Sequence, residues 1–249
     1  MPGEPDGATA REPAGPVGGR PTIGLGPSTF GAGPVPGGEH ADEEVVWTVV
    51  VAAGSGRRFG GLKQYELLGE TRILDLSVAT ARAAGDGVVV VVPADDAERE
   101  GGVAGADTRS GSVRAGLAAV PGEATVICVH DAARPFASAS LFAAVIDAVR
   151  DGADAAVPGV PVTDTIKRVD ASGTVVETLP RAELVAVQTP QAFRAAALRA
   201  AHDAASEATD DAALVEAAGG RVVVVAGDPD NRKITDAADL DWARGRVTS

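Results

Sequence analysis

The chain has 249 residues and a net charge of −13, with 45% hydrophobic residues but only 3% aromatic ones. This length suits one α/β domain with a sizeable core, which must be built from Ala, Val and Leu rather than from rings. The acidic balance excludes nonspecific nucleic-acid binding, which needs a basic face, and makes any local gathering of Arg and Lys a pointer to a bound anion. The single cysteine, Cys128, cannot form an internal disulfide and fits a reducing cytoplasm. No apolar run approaches the length of a membrane span, and no signal peptide is read at the start.

Residues 1–44 hold 11 Gly and 8 Pro without a period and few large apolar side chains. Such a stretch cannot bury enough surface to offset its chain entropy, so it is expected to be a disordered extension of a domain over residues 45–249. Val45–Val51 is an apolar β-branched run and reads as a buried strand. It empties into Ala52-Ala53-Gly54-Ser55-Gly56-Arg57-Arg58, with Lys63 close behind. Glycines let the backbone turn and present its N–H groups to an anion, and the cations add mobile positive charge. The loop is not a P-loop, because Arg57-Arg58 follows Gly56 where Lys-Ser/Thr would be needed. Nor is it a dinucleotide fingerprint, because Phe59 occupies the third glycine position.

Strands and helices then alternate. Ile73–Ala84 reads as a helix ending at Gly85, Val88–Val92 as an all-valine strand, and Ser112–Val120 as a short helix entered from the loop Gly105–Arg109. Thr125–Val129 is a third strand, Ser140–Arg150 a helix and Ala153–Val157 a fourth strand. The alternation predicts an α/β fold, a mostly parallel sheet flanked by helices on both faces. Thr163–Val169 and Gly173–Leu179 form a polar hairpin with little apolar alternation, expected to project as an arm over about residues 163–179. Val185–Gln188 reads as a short strand, Ala192–Ala205 and Asp210–Ala218 as helices, Val222–Val225 as a strand and Ala237–Arg244 as a final helix.

Ligands of open α/β sheets bind beyond the carboxyl ends of the strands, and the charged residues fall there: Arg58 and Lys63, then Asp107 and Arg109, then Asp131 and Arg134, and finally Lys233. Several cations with one or two carboxylates suit a magnesium-bound polyphosphate. His130 reads as a packed histidine rather than a general base, with Asp131 the better candidate for chemistry. Thr209-Asp210-Asp211 reads at least in part as a helix N-cap. No Ser-His-Asp spacing or Cys/His ligand pattern is present.

Taken in order, these motifs resemble those of the 2-C-methyl-D-erythritol 4-phosphate cytidylyltransferases of isoprenoid biosynthesis. The resemblance rests on Ala52–Arg58 with Lys63-Gln64-Tyr65, Arg109–Val113, His130-Asp131-Ala132-Ala133-Arg134-Pro135, Asp164–Arg168, Arg181, Gln188–Phe193, Thr209-Asp210 and Asn231–Thr235. The chain departs from the family in carrying Val51 in place of proline, Ala106 in place of a glycine, and a short spacer from Arg58 to Lys63.

The resemblance implies a Rossmann-like nucleotidyltransferase fold that, with Mg²⁺, transfers a cytidylyl group from CTP to 2-C-methyl-D-erythritol 4-phosphate and releases pyrophosphate. Arg58 and Lys63 would bind the triphosphate and stabilise the transition state. Lys233 would contact the α-phosphate side. Ala52, Ala53 and Gly54 would supply backbone contacts, and Ala106, Asp107 and Ser112 would hold the cytidine. Asp131 and Arg134 would orient the sugar phosphate and the metal-bound complex, with Asp131 serving the metal. Thr165, Arg181, Thr189 and Thr209 would serve the acceptor. The arm would embrace a second subunit of a homodimer. A ribitol 5-phosphate cytidylyltransferase, another sugar-phosphate nucleotidyltransferase and a non-enzymatic nucleotide sensor on the same fold remain alternatives.

Overall fold

A computed structural model describes residues 44–54, 56, 59–204 and 207–247, all within the compact unit from Ala41 to Ser249. The extension expected over residues 1–44 lies outside the described residues except for Glu44, and so do Arg57 and Arg58.

The first strand, β1 (Val46–Val51), is followed by a small hairpin of β2 (Leu67–Leu68) and β3 (Thr71–Arg72). Next come α1 (Ile73–Ala83), β4 (Gly87–Val92), a single turn α2 (Ala97–Glu100) and β5 (Val103–Ala104). They lead to α3 (Arg109–Ala119), β6 (Val126–Asp131), α4 (Ala139–Arg150) and β7 (Ala155–Pro161). The second half holds the hairpin β8 (Lys167–Val169) and β9 (Val175–Thr178), then β10 (Val185–Val187) and β11 (Gln191–Arg194). It closes with α5 (Ala195–Ala204), α6 (Asp211–Ala217), β12 (Val222–Ala226) and α7 (Ala237–Val247).

The main sheet runs β10-β7-β11-β6-β1-β4-β5, with β12 on the other edge of β7. β1 pairs in parallel with both β4 and β6, so the chain leaves β1 on one side and returns on the other. That reversal opens a crevice at the carboxyl ends of the strands. Adjacent residues serve opposite faces, as a period of two demands. Val49, Ile127, Val129 and Phe193 pack with Val113, Leu117 and Leu198 on one face. Val50 and Cys128 pack with Leu74, Val78, Phe142 and Ile146 on the other. Both faces are covered, as the continuous Val runs predict. Gly116 marks where α3 crosses the sheet: a Cβ there would lie 2.5 Å from Val49 Cγ1 and 2.9 Å from Val91 Cγ2. Only glycine lets α3 approach this closely.

Three expectations are corrected. The helix over Ala192–Ala205 begins only at Ala195, because Gln191–Arg194 forms an antiparallel strand wedged between β6 and β7. Phe193 pairs with Ile127 on one side and Ala155 on the other, and this two-sided pairing overrides the helical preference of an alanine-rich run. The helix expected from Ser112 starts at Arg109, because the Thr108 side chain caps it by accepting from the Gly111 N–H at 3.0 Å. The strands expected over Thr163–Val169 and Gly173–Leu179 are shorter, a hairpin of Lys167–Val169 and Val175–Thr178. β8 and β9 pair only with each other, and every one of their residues is exposed.

His130, on β6, is fully buried, stands 5.3 Å from the Phe142 ring and lies 3.1 Å from Thr189 Oγ1. Burial pushes its pKa down to about 4. An unfolded histidine titrates near 6.5, so the unfolded chain binds the extra proton first as pH falls. The stabilisation from keeping this ring neutral is present above about pH 6.5 and is lost as pH drops toward about 4. Over that window the shift corresponds to roughly 3 kcal/mol. Urea melts at a series of pH values should show His130→Asn with a visibly shallower loss of stability than the wild type. Parallel curves would show that the ring does not carry the effect.

Candidate active site

β1 and β6 end in register, Val51 beside Asp131, and the backbone continues the ladder with the Ala132 N–H donating to Val51 O at 3.0 Å. Beyond these ends lies a cavity of about 600 Å³. Ala52, Ala53 and Gly54 form one wall, Ala106, Asp107, Thr108, Arg109 and Ser112 another, and Lys63, Gln64, Asp131 and Lys233 line the rest. Nine of the residues expected at the site are thus brought together although they are spread from 52 to 233.

Each wall has a local cause. The Ala52 N–H donates to Val91 O at 2.7 Å and holds the start of the glycine loop against β4. Ser112, in the first turn of α3, turns its hydroxyl back on the preceding loop, accepting from the Ala106 N–H at 3.1 Å and lying 2.9 Å from Thr108 O. It therefore shapes the segment that would meet a base.

Lys63 sits in a 3-10 turn, Lys63–Tyr65. Two arginines, Arg72 and Arg99, flank the Tyr65 ring at 5.6 Å and 5.0 Å, and its hydroxyl donates to Asp96 at 2.8 Å. Lys63 Nζ donates to the Ile234 carbonyl at 2.7 Å, next to Lys233 in sequence.

Lys233 belongs to the loop after β12, and that loop is fastened by buried polar groups. Asn231 is fully buried and donates to Thr189 O at 2.8 Å; Gln188 donates to Asp228 O at 2.8 Å; Arg134 donates to Asn231 O at 2.7 Å; the Ile234 N–H donates to Ala133 O at 2.8 Å. The loop ends with Lys233 Nζ 2.6 Å from Asp131 Oδ2. Burial by itself would raise the Asp131 pKa, but Lys233, Arg109 and Arg134 outweigh it and hold the carboxyl well below the usual range. Asp131 is therefore ionised throughout the physiological range.

Asp131 is also fixed from behind, its N–H donating to Thr189 Oγ1 at 3.0 Å. Thr189, expected at the acceptor site, is buried and occupied in this way. Arg134, expected beside the substrate, braces the Lys233 loop and does not line the cavity. Thr165, Arg181 and Thr209 are exposed and away from the cavity lining; Arg181 donates to Thr163 O at 2.6 Å in its own arm. Arg58 lies outside the described residues.

The reading of 209–211 as a cap holds for Asp210, whose side chain accepts from the Ala213 N–H at 3.0 Å. Among the lining residues, Gln64 and Thr108 are polar groups that carried no expected role. Gln64 was visible in the sequence beside Lys63 but had no charge to mark it.

A model of the family described as 2-C-methyl-D-erythritol 4-phosphate cytidylyltransferase (IspD) matches residues 46–249. The chain is 45% identical over 234 residues to the bifunctional enzyme IspD/IspF of Clavibacter michiganensis, a match covering 86% of this chain and 57% of that one. It thus spans a little over half the length of this bifunctional relative. It is 46% identical over 215 residues to a 2-C-methyl-D-erythritol 4-phosphate cytidylyltransferase of Rhodococcus jostii, covering 81% of this chain and 95% of that one. The crystal structure of a 2-C-methyl-D-erythritol 4-phosphate cytidylyltransferase from Thermus thermophilus superposes with a TM-score of 0.71 at 35% identity, covering 83% of this chain and 100% of that one. With residues 46–249 matched by one family model, the chain belongs to the 2-C-methyl-D-erythritol 4-phosphate cytidylyltransferase family.

Proposed function

We propose that this chain transfers a cytidylyl group from CTP to 2-C-methyl-D-erythritol 4-phosphate, releasing pyrophosphate and leaving a CDP-linked product. The observation that carries the reading is the meeting of a glycine-loop backbone, Lys63 and Lys233 around the ionised Asp131 in one cavity. An oxygen of the acceptor phosphate attacks the α-phosphorus, the bond to the pyrophosphate oxygen breaks, and no covalent enzyme intermediate is needed. Lys63 and Lys233, joined through the Ile234 segment, face the charge that builds on the transferred phosphorus and the leaving group. Arg58 shares that role with Lys63. Ala52, Ala53, Gly54, Ala106, Asp107 and Ser112 hold the nucleotide.

Asp131 is the residue that would hold Mg²⁺. One carboxylate, completed by phosphate oxygens and water, is the ligand set this ion takes, and no group of three or more His, Cys, Asp or Glu able to hold an ion occurs among the described residues. When bound, the ion offsets the negative charge of the triphosphate. A cytoplasmic setting belongs to the same reading, supported by the free, buried Cys128; no helix of the described residues is long and apolar enough to cross a membrane.

The acceptor side is completed by Thr165, Arg181 and Thr209, with Arg181 acting across a homodimer, while Thr189 and Arg134 act from behind by holding Asp131 and the Lys233 loop. The exposed arm supports this: Val169, Val175 and Val176 are each more than half exposed on a hairpin whose strands pair, among the described residues, only with each other. An isolated two-stranded hairpin is marginal in water and needs a surface to pack on.

Purified protein with Mg²⁺, CTP and methylerythritol phosphate should release pyrophosphate. Robust turnover of ribitol 5-phosphate with none of methylerythritol phosphate would reject the assigned acceptor. Lys63→Ala and Lys233→Ala should each lower kcat on the order of 10²–10³ while moving KM less, because charge that acts on the transition state appears in kcat. A change confined to KM in either variant would remove that residue from the chemical step. Mixing Arg181→Ala with Lys63→Ala subunits should restore part of the activity, since one site of a mixed dimer then carries neither lesion. No recovery after confirmed subunit exchange would place Arg181 in its own chain's site.

A further inference from the structure

Arg109 stands between two carboxylates. Its Nη1 donates to Asp211 Oδ2 at 2.8 Å, whereas its Nε and Nη2 both lie 3.5 Å from Asp131 Oδ1. The two acids have different surroundings. Asp131 lines the cavity; Asp211, at the start of α6, is fully buried and touches no part of it. The second oxygen of Asp211 lies 2.9 Å from Nε2 of His202, itself buried on α5. Asp211 is thus held by His202 from behind and bonded to Arg109 in front.

Charge-assisted hydrogen bonds run at about 2.7–2.9 Å, and an arginine facing a single carboxylate closes on it as a two-pronged fork. The distance to Asp211 falls in that range, and the distance to Asp131 is at the limit of a hydrogen bond. The rear carboxylate therefore wins the guanidinium. If Arg109 instead closed on Asp131, which already meets Lys233 at 2.6 Å, both oxygens of that carboxylate would be covered by cations.

We infer that Asp211 is a positioning residue: it restrains Arg109 so that the guanidinium steadies Asp131 without closing on it, leaving that carboxylate open to the ligand in the cavity. The inference rests on the cytidylyl-transfer reading for the ligand, but not for the geometry. N-capping explains Asp210 and leaves Asp211 without another task.

The test compares wild type, D211N, R109Q and the double variant, all assayed well below their melting temperatures. kcat/KM for CTP is measured, and binding of Mg²⁺–CTP without acceptor is followed by calorimetry. D211N should weaken both by roughly tenfold, the size of an ordinary coupling between neighbouring residues. In the R109Q background the same substitution should add less than about twofold, because the group it acts through is gone. If D211N does not fold, His202→Phe, which removes the donor behind Asp211, should show a smaller loss that likewise disappears in the R109Q background. Losses that multiply, or a D211N that melts lower yet keeps kcat/KM and CTP binding, would overturn the inference. A wild type that binds Mg²⁺–CTP but releases no pyrophosphate sinks the cytidylyl-transfer reading alone, and the calorimetric cycle still judges Asp211. A wild type that binds no Mg²⁺–CTP overturns both.

Discussion

A carboxylate at the end of a buried strand is the constraint on which the rest of this structure depends. β6 is buried from Val126 to Asp131, and at its last residue an ionised group replaces the apolar run. Leaving such a charge unpaired would cost several kcal/mol or force the carboxyl to protonate, and cations that reach it keep it ionised. They come from segments far apart in sequence. Arg109 enters on the first turn of α3, and Lys233 returns on a loop that has left the opposite edge of the sheet. Completing the fold and assembling the site are therefore the same event.

Neutralising Asp131 in turn explains the buried polar groups around the second half of the chain. The loop carrying Lys233 cannot rely on a strand or helix for its path. Asn231, Gln188 and Arg134 supply hydrogen bonds to its backbone instead, while Ile234 anchors it in a small apolar cluster with Leu68, Ile73 and Leu240. The same cluster fixes α7 and the β2–β3 hairpin, so the loop, the last helix and the segment bearing Lys63 lean on one another.

The nucleotide side and the acceptor side of the site differ in how they are built. Residues assigned to the nucleotide lie on strand ends and a capped helix, where sheet register fixes them within one chain. Thr165, Arg181 and Thr209 lie on exposed segments away from the cavity. The residues of the β8–β9 hairpin are exposed among the described residues, and an isolated two-stranded hairpin is marginal in water, so the proposed acceptor half involves a second subunit.

The amino-acid sequence by itself determined the strands Val46–Val51 and Gly87–Val92, since long β-branched runs admit one conformation and demand burial on both faces. It also marked loops that meet in the cavity, because glycines and cations directly after such strands suit an anion. The exposed hairpin was legible for the opposite reason, a polar pattern with nothing to bury. Only the tertiary structure decided that Gln191–Arg194 is a strand, since its pairing partners lie more than thirty residues away and alanines carry no periodicity. It alone decided that Thr189 supports Asp131 from behind and that Asp211 belongs to Arg109 rather than to a helix cap. Residue type and local spacing record which groups a chain carries; which carboxylate wins a shared guanidinium is a contest of distances across a hundred residues, and it exists only once the chain has folded.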